Sequence, residues 1–190
     1  KRLANNRSFL ADIAVAELAF GLILALDRRI PDNVAELRAG KWNKKEYSKA
    51  KGLYGRTLGL LGFGSIGQEV ARRGRAFGMP VMVWSRRFTE GGKAAVEAVA
   101  PELDITVIHS PEELAERSDV LSVHLALTKE TKGFVNAAIL GRMKPGAFFV
   151  NTARGEVVDY AALADAVRTK QVRVALDVFA AEPAAATGDF

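Results

Sequence analysis

Apolar residues along the first part of the chain run almost without a break from position 12 to position 29, through Ile13, Val15, Leu18, Phe20, Leu22, Ile23, Leu24 and Leu26. This density predicts a helix with more than one buried face, packed against a partner as well as its own core. Pro31 and Asp32 open a second helix, and Gly40 ends it. Residues 41–56 are polar, basic and loop-like. Beyond them the pattern changes to short apolar runs separated by helical stretches. The runs are 57–61, 81–84, 106–108, 120–125, 147–151 and 172–178, with helices expected at 66–77, 136–143 and 159–169. Ser110, Pro111, Glu112 and Glu113 form the start signal of another, with a cap, a proline in the first turn and two carboxylates. Strands without polar alternation, joined through helices, predict an α/β fold with a parallel sheet covered on both faces.

The turn after the first strand is Gly62, Phe63, Gly64, Ser65, Ile66 and Gly67, a G-x-G-x-x-G between a strand and a helix. In that position Gly62 permits a tight turn and Gly64 lets the backbone approach a pyrophosphate. Gly67 allows the helix to pack closely, and the helix N-terminus faces the anion. The acidic residue that usually follows about 20 positions later, and binds the ribose 2′-hydroxyl, is replaced by Ser85, with Arg86 and Arg87 after it. Two readings stand. The arginines meet the 2′-phosphate of NADP, or they are solvated and Ser85 and the backbone hold NAD.

Arg154 follows the fifth apolar run, and Asp177 and Glu182 follow the sixth, at the strand ends where open parallel sheets bind ligands. An arginine there can hold a carboxylate through two hydrogen bonds, and a carboxylate can orient a catalytic histidine. A plain Arg154–Glu182 surface ion pair fits the same spacing.

Six segments carry a more specific likeness. Residues 55–67 (GRTLGLLGFGSIG), 76–79 (AFGM), 118–128 (SDVLSVHLALT), 143–147 (MKPGA), 151–155 (NTARG) and 176–183 (LDVFAAEP) resemble, in order, the D-isomer-specific 2-hydroxyacid dehydrogenases, with the phosphoglycerate dehydrogenase branch nearest in character. The likeness runs from about Val15 to Pro183. It implies a Rossmann-type doubly wound parallel sheet, preceded by a long apolar linker helix that also forms a homodimer interface. It also implies a dinucleotide site containing Gly62, Gly64, Ser65, Ile66, Gly67, Ser85, Arg86, Arg87, His124, Ala126, Thr128, Thr152, Ala153, Arg154 and Asp177. Arg154 matches the arginine that binds substrate carboxylate and carbonyl, Asp177 a residue at the nicotinamide carboxamide, and Glu182 the partner of the catalytic histidine. Two departures stand out. Ala126 replaces a proline in the His-x-Pro-x-Thr loop, and the catalytic histidine falls beyond Phe190. His109 and His124 are not expected to replace it. The resemblance therefore makes residues 1–190 a dinucleotide-binding domain, with pieces of a substrate domain before and after it. Such a piece would bind NAD, or NADP, without turning over a 2-hydroxy acid. A corepressor-type dinucleotide sensor of the same fold is the alternative.

Composition adjusts this picture at a few points. With no cysteine, a disulfide framework, a thiol nucleophile and a Cys-based zinc site are excluded, and no metal site is expected. The net charge of +5 divides unevenly, with +9 over residues 1–100 and −4 over the rest. No nucleic-acid-binding motif accompanies the basic half, so no nucleic-acid partner is expected. The opening residues lack a signal peptide, and the apolar stretch 13–26, interrupted by Glu17, is shorter than the ~20 residues a membrane span needs. A soluble, cytoplasmic protein cut from a longer one is the expectation, since the chain starts at Lys1 without a methionine.

Overall fold

The computed structural model describes residues 2–88, 92–98 and 100–182. Six parallel strands form one sheet: β1 (Leu58–Leu61), β2 (Val81–Trp84), β3 (Ile105–Val107), β4 (Val120–Val123), β5 (Phe148–Asn151) and β6 (Arg173–Leu176). Their order is β3-β2-β1-β4-β5-β6, so the chain reverses its direction of travel between β1 and β4. Every strand pairing is parallel, with Leu61 in register with Trp84 on one side and Val123 on the other.

Side chains alternate across the sheet with a period of two, and both faces are dry. Leu58 and Leu60, Val81 and Val83, and Phe148 and Val150 enter one core cluster. Leu61, Met82, Trp84, Leu121, Val123 and Phe149 enter the other. The first cluster is closed by α1 (Arg2–Arg28) and α4 (Ser65–Ala76), the second by α6 (Pro111–Arg117), α7 (Ala137–Leu140) and α8 (Tyr160–Lys170). Ser110 caps α6 as its sequence predicts, accepting from the Glu113 amide at 3.2 Å. Asn136 and Asp159 cap α7 and α8 in the same way.

Several expectations change. Helix α1 begins ten residues before position 12, and α2 (Ile30–Arg38) follows it after a left-handed Arg29 with φ 51°. The stretch 41–56 is not all loop, because Lys44–Tyr47 forms one helical turn, α3. Tertiary contacts hold it. Glu46 pairs with Arg29 at 2.9 Å, and the Arg29 guanidinium lies 5.1 Å from the ring centroid of buried Tyr47. A further helix, α5 (Gly92–Glu97), lies between β2 and β3, where Val96 seals the core. Strands β4 and β6 stop two residues short of the apolar runs that announce them.

The length argument against a membrane span also fails. Ser8–Arg28 of α1 is long and apolar enough to cross a bilayer. Its packing is that of a helix against a sheet, with Ala16, Ala19, Phe20, Ile23 and Asp27 buried and Asp27 paired to Arg56 at 3.2 Å. Phe9, Leu10 and Leu18 remain exposed on its other side, as the reading of more than one apolar face requires. Of the two tryptophans, Trp84 packs inside, its ring stacked on Phe134 at 5.0 Å. Trp42 is 78% exposed.

Candidate functional site

At the carboxyl ends of β1, β4 and β5, where the strand order reverses, a cleft of about 430 Å3 opens. Three loops line it. The glycine turn brings Gly64, Ser65, Ile66 and Gly67; the loop after β4 brings His124, Leu125, Ala126 and Leu127; the loop after β5 brings Thr152, Ala153 and Arg154. Nine of the residues singled out from the sequence thus share one wall.

The three glycines of the turn do different things. Gly62 has φ +99°, and a Cβ there would sit 2.4 Å from the His124 carbonyl oxygen. Gly67 lies where a Cβ would be 2.7 Å from the Gly62 carbonyl oxygen, so α4 approaches the turn backbone to backbone. Gly64 caps α4 with an ordinary φ of −78°, and a Cβ on it would meet nothing within 4 Å. It faces open space in the cleft.

Asn151, fully buried at the end of β5, shapes the loop beside it. Its side chain donates to the Arg154 carbonyl at 3.0 Å and accepts from the Ala153 amide at 2.9 Å. The exposed Arg154 guanidinium donates to the Ala153 carbonyl at 2.7 Å. The Thr152 hydroxyl oxygen is buried and has no hydrogen-bond partner among the described residues. A buried hydroxyl without a partner costs about 1–3 kcal/mol, so it marks a place for a ligand's polar group.

His124 keeps some surface in the cleft, but its ring sits among protein atoms and its Nε2 lies 2.9 Å from the Ser122 hydroxyl. Burial lowers its pKa from 6.5 to about 4. The imidazole is therefore neutral at physiological pH, which suits a wall residue rather than a cationic acid. NMR of the ring should show no titration between about pH 8 and pH 5. Because the unfolded chain takes up the proton that the folded one refuses, unfolding free energy should fall as pH drops from about 6.5 towards 4. A ring that titrates near 6.5 in the folded protein overturns this placement.

Other sequence candidates lie around the cleft rather than in it. Ser85, Arg86 and Arg87 follow β2, beside the glycine turn on the side away from β4. Arg87 is not simply solvated, since it donates to the Phe63 carbonyl at 3.0 Å. Arg86 lies near enough to Glu130 to help hold that carboxyl below its usual range, after the Thr128 hydroxyl and the backbone. The Thr128 hydroxyl donates to Glu130 at 2.6 Å, and Thr128 does not line the cleft. Asp177 is exposed just after β6, its amide donating to the Asn151 carbonyl at 3.1 Å. Glu182 accepts from the Phe179 amide at 3.1 Å, and no ion pair joins it to Arg154 among the described residues. Pro183, part of the LDVFAAEP segment, lies outside the described residues. His109 is exposed beyond the edge strand β3, with three strands between it and β5. Leu125 and Leu127 line the cleft within the loop from His124 to Thr128 that the resemblance implies, whereas sequence reasoning missed Val15, which α1 contributes. It also missed the positioning role of Asn151, for which the signal was an amide side chain ending an otherwise apolar strand.

An open parallel sheet with a G-x-G-x-x-G turn at its reversal point, opening towards a cleft a helix whose N-terminal amides have no side-chain cap, defines a Rossmann-type dinucleotide-binding domain. Residues 20–190 match the family model for the D-isomer specific 2-hydroxyacid dehydrogenase NAD binding domain, and the chain belongs to that family. It is 43% identical over 172 residues to a hydroxypyruvate reductase of Thermotoga maritima, covering 90% of this chain and 52% of that protein. It is 37% identical to a D-3-phosphoglycerate dehydrogenase of Methanocaldococcus jannaschii, covering 91% and 32%. A crystal structure of a phosphoglycerate oxidoreductase from Vibrio cholerae superposes with a TM-score of 0.79 at 38% identity, covering 92% of this chain and 54% of that one. The chain thus spans from about a third to about half the length of these relatives.

Proposed function

We propose that this cleft binds NAD in an oxidoreductase that moves hydride between the cofactor and a D-2-hydroxy acid or its 2-keto acid. The observation that carries the reading is the convergence of Gly64–Gly67, His124–Leu127 and Thr152–Arg154 on one cleft at the strand-order reversal. The residues fit the cofactor in two further respects. Gly64 leaves the cradle at the N-terminus of α4 open, with nothing within 4 Å of where a Cβ would stand, and the Thr152 hydroxyl lacks a partner among the described residues.

In this reading the amides at the start of α4 hold the pyrophosphate beside Gly62, Gly64, Ser65, Ile66 and Gly67. Ser85, Arg86 and Arg87 meet the adenosine ribose. His124, Ala126, Thr152 and Ala153 flank the nicotinamide half, and Asp177 meets its carboxamide. The bound cofactor supplies or accepts the hydride. Arg154 holds the substrate carboxylate and polarises the carbonyl. Glu182 orients a histidine that a substrate domain outside residues 1–190 provides in a protein of the relatives' length. The exposed faces of α1 and α2, with Leu10, Leu18, Val34 and Leu37, meet a second copy in a homodimer. The whole enzyme is soluble and cytoplasmic.

Calorimetric titration tests the cofactor site. NADH should bind the 190-residue chain, while NADH oxidation with 2-keto acids stays negligible. Robust turnover by this chain alone would show that the proton donor lies within it. The same titrations address the 2′-phosphate. With a serine in place of the carboxylate and two arginines beside it, NADP should bind too. Arg86→Ala should weaken NADP by about tenfold and leave NAD unchanged. Equal effects on both cofactors, or none, would remove Arg86 from 2′-phosphate recognition.

A further inference from the structure

A second cavity, of about 660 Å3, opens at the opposite end of the sheet from the cleft. Arg56 precedes β1, Asp119 precedes β4, Phe148 begins β5 and Arg173 begins β6, so its floor is the amino ends of these strands. The strands are four residues long, which puts roughly 13 Å of sheet between the two openings. Nothing in the proposed dinucleotide site reaches it.

Its charge is lopsided. Five basic side chains line it, Lys49, Lys51, Arg56, Lys144 and Arg173, against the carboxylates of Asp27 and Asp119. Three of the cations are committed. Arg56 pairs with buried Asp27 at 3.2 Å, Lys144 with Asp119 at 2.8 Å, and Lys49 with Glu46 at 2.6 Å. Lys51 and Arg173 have no carboxylate partner among the described residues.

Arg173 is half-buried, donates to the Leu26 carbonyl, and lies 5.0 Å from the ring centroid of Phe148. Arg56 lies 4.1 Å from the same ring, so two guanidinium groups share one aromatic neighbour. Burial lowers the Arg173 pKa from its usual value, and the positive charges of Arg29 and Arg56 lower it further, against a partial offset from the carboxylates of Asp27 and Asp32. Cations gathered at a half-buried site, beyond the carboxylates that could neutralise them, create a positive potential that a bound anion relieves. The cavity is too large for a single small ion to fill and has room for a phosphorylated metabolite.

We propose that this cavity is an anion site for a small phosphorylated ligand carrying two or more negative charges, separate from the dinucleotide cleft. Arg173 and Lys51 supply the uncommitted charge, and Arg56 and Lys144 supply further hydrogen-bond donors. The site stands whether or not the cleft binds NAD.

Amide NMR of the isotope-labelled 190-residue chain, titrated with inorganic pyrophosphate at constant ionic strength, tests it. Saturable shifts are expected at Gly52, Gly55, Gly146 and Arg173, with a dissociation constant below roughly 1 mM. The charge reversal Lys51→Glu, on an exposed side chain, should raise that constant about tenfold and leave other resonances in place. Arg173→Gln should do the same, but it also removes the contact to Leu26, so Lys51→Glu decides. Pyrophosphate shifts confined to Gly62–Gly67 would place the anion in the dinucleotide cleft only and overturn the proposal. Shifts that grow without saturating, or a constant unmoved by Lys51→Glu, would overturn it equally.

Discussion

An alanine at Gly62 is expected to destabilise the domain by about 2–6 kcal/mol, enough to unfold much of a marginally stable protein. Two costs combine. A φ of +99° lies where an L side chain is strained, worth about 1–3 kcal/mol. The new methyl would also lie 2.4 Å from the His124 carbonyl oxygen, which belongs to backbone and cannot swing aside. That carbonyl is fixed because the His124 amide donates to Leu61 at 2.7 Å, while the Gly62 amide donates to Trp84 at 2.9 Å. Relieving the clash means prising β4 from β1 at the centre of the sheet, and overpacking of this kind costs about 1–3 kcal/mol more. Urea unfolding measures the loss. A change below ~1 kcal/mol would mean that the turn does not have this geometry.

Gly64→Val should behave in the opposite way. Its backbone is extended and its missing Cβ points into open space, so the fold should keep its stability to within about 1 kcal/mol, the scale of a weakened helix cap. The branched side chain would instead occupy the cradle at the N-terminus of α4. NADH affinity, followed by its fluorescence, should fall on the order of a hundredfold, or about 2.7 kcal/mol. If Gly64→Val binds NADH as the parent chain does, the pyrophosphate does not pass over this turn. Two residues apart in one motif, one glycine serves the sheet and the other the ligand.

Much of the fold was legible because its signals are local. A buried parallel strand must be apolar on both faces, so β2 coincides with its run, and β1 and β5 start one residue inside theirs. The Ser110 cap and the glycine turn are likewise written in consecutive residues. What escaped depends on distant partners. Helix α3 exists because Tyr47 and Glu46 meet Arg29, which the basic, polar stretch around them gives no periodic sign of. Arg87 looks like surface charge until its acceptor appears, and that acceptor is a backbone carbonyl, which no side-chain pattern announces. The glycine loop, His124, Ala126 and the Thr152–Arg154 loop gather as their strand ends require. The unpartnered Thr152 hydroxyl could be seen only with the loop in place.

One wall of the cleft has a different owner from the rest. Val15 comes from α1, while every other lining residue comes from the glycine turn with the start of α4, or from the loops after β4 and β5. Leu18 on the same helix is exposed, and three residues along a helix span roughly 4.5 Å. Whatever rests against the outside of α1 therefore stands about one helical turn from the ligand's space. The aperture of this site is set partly by α1, a helix that packs beside the sheet, and its width follows the seating of that helix as well as the loops at the strand ends.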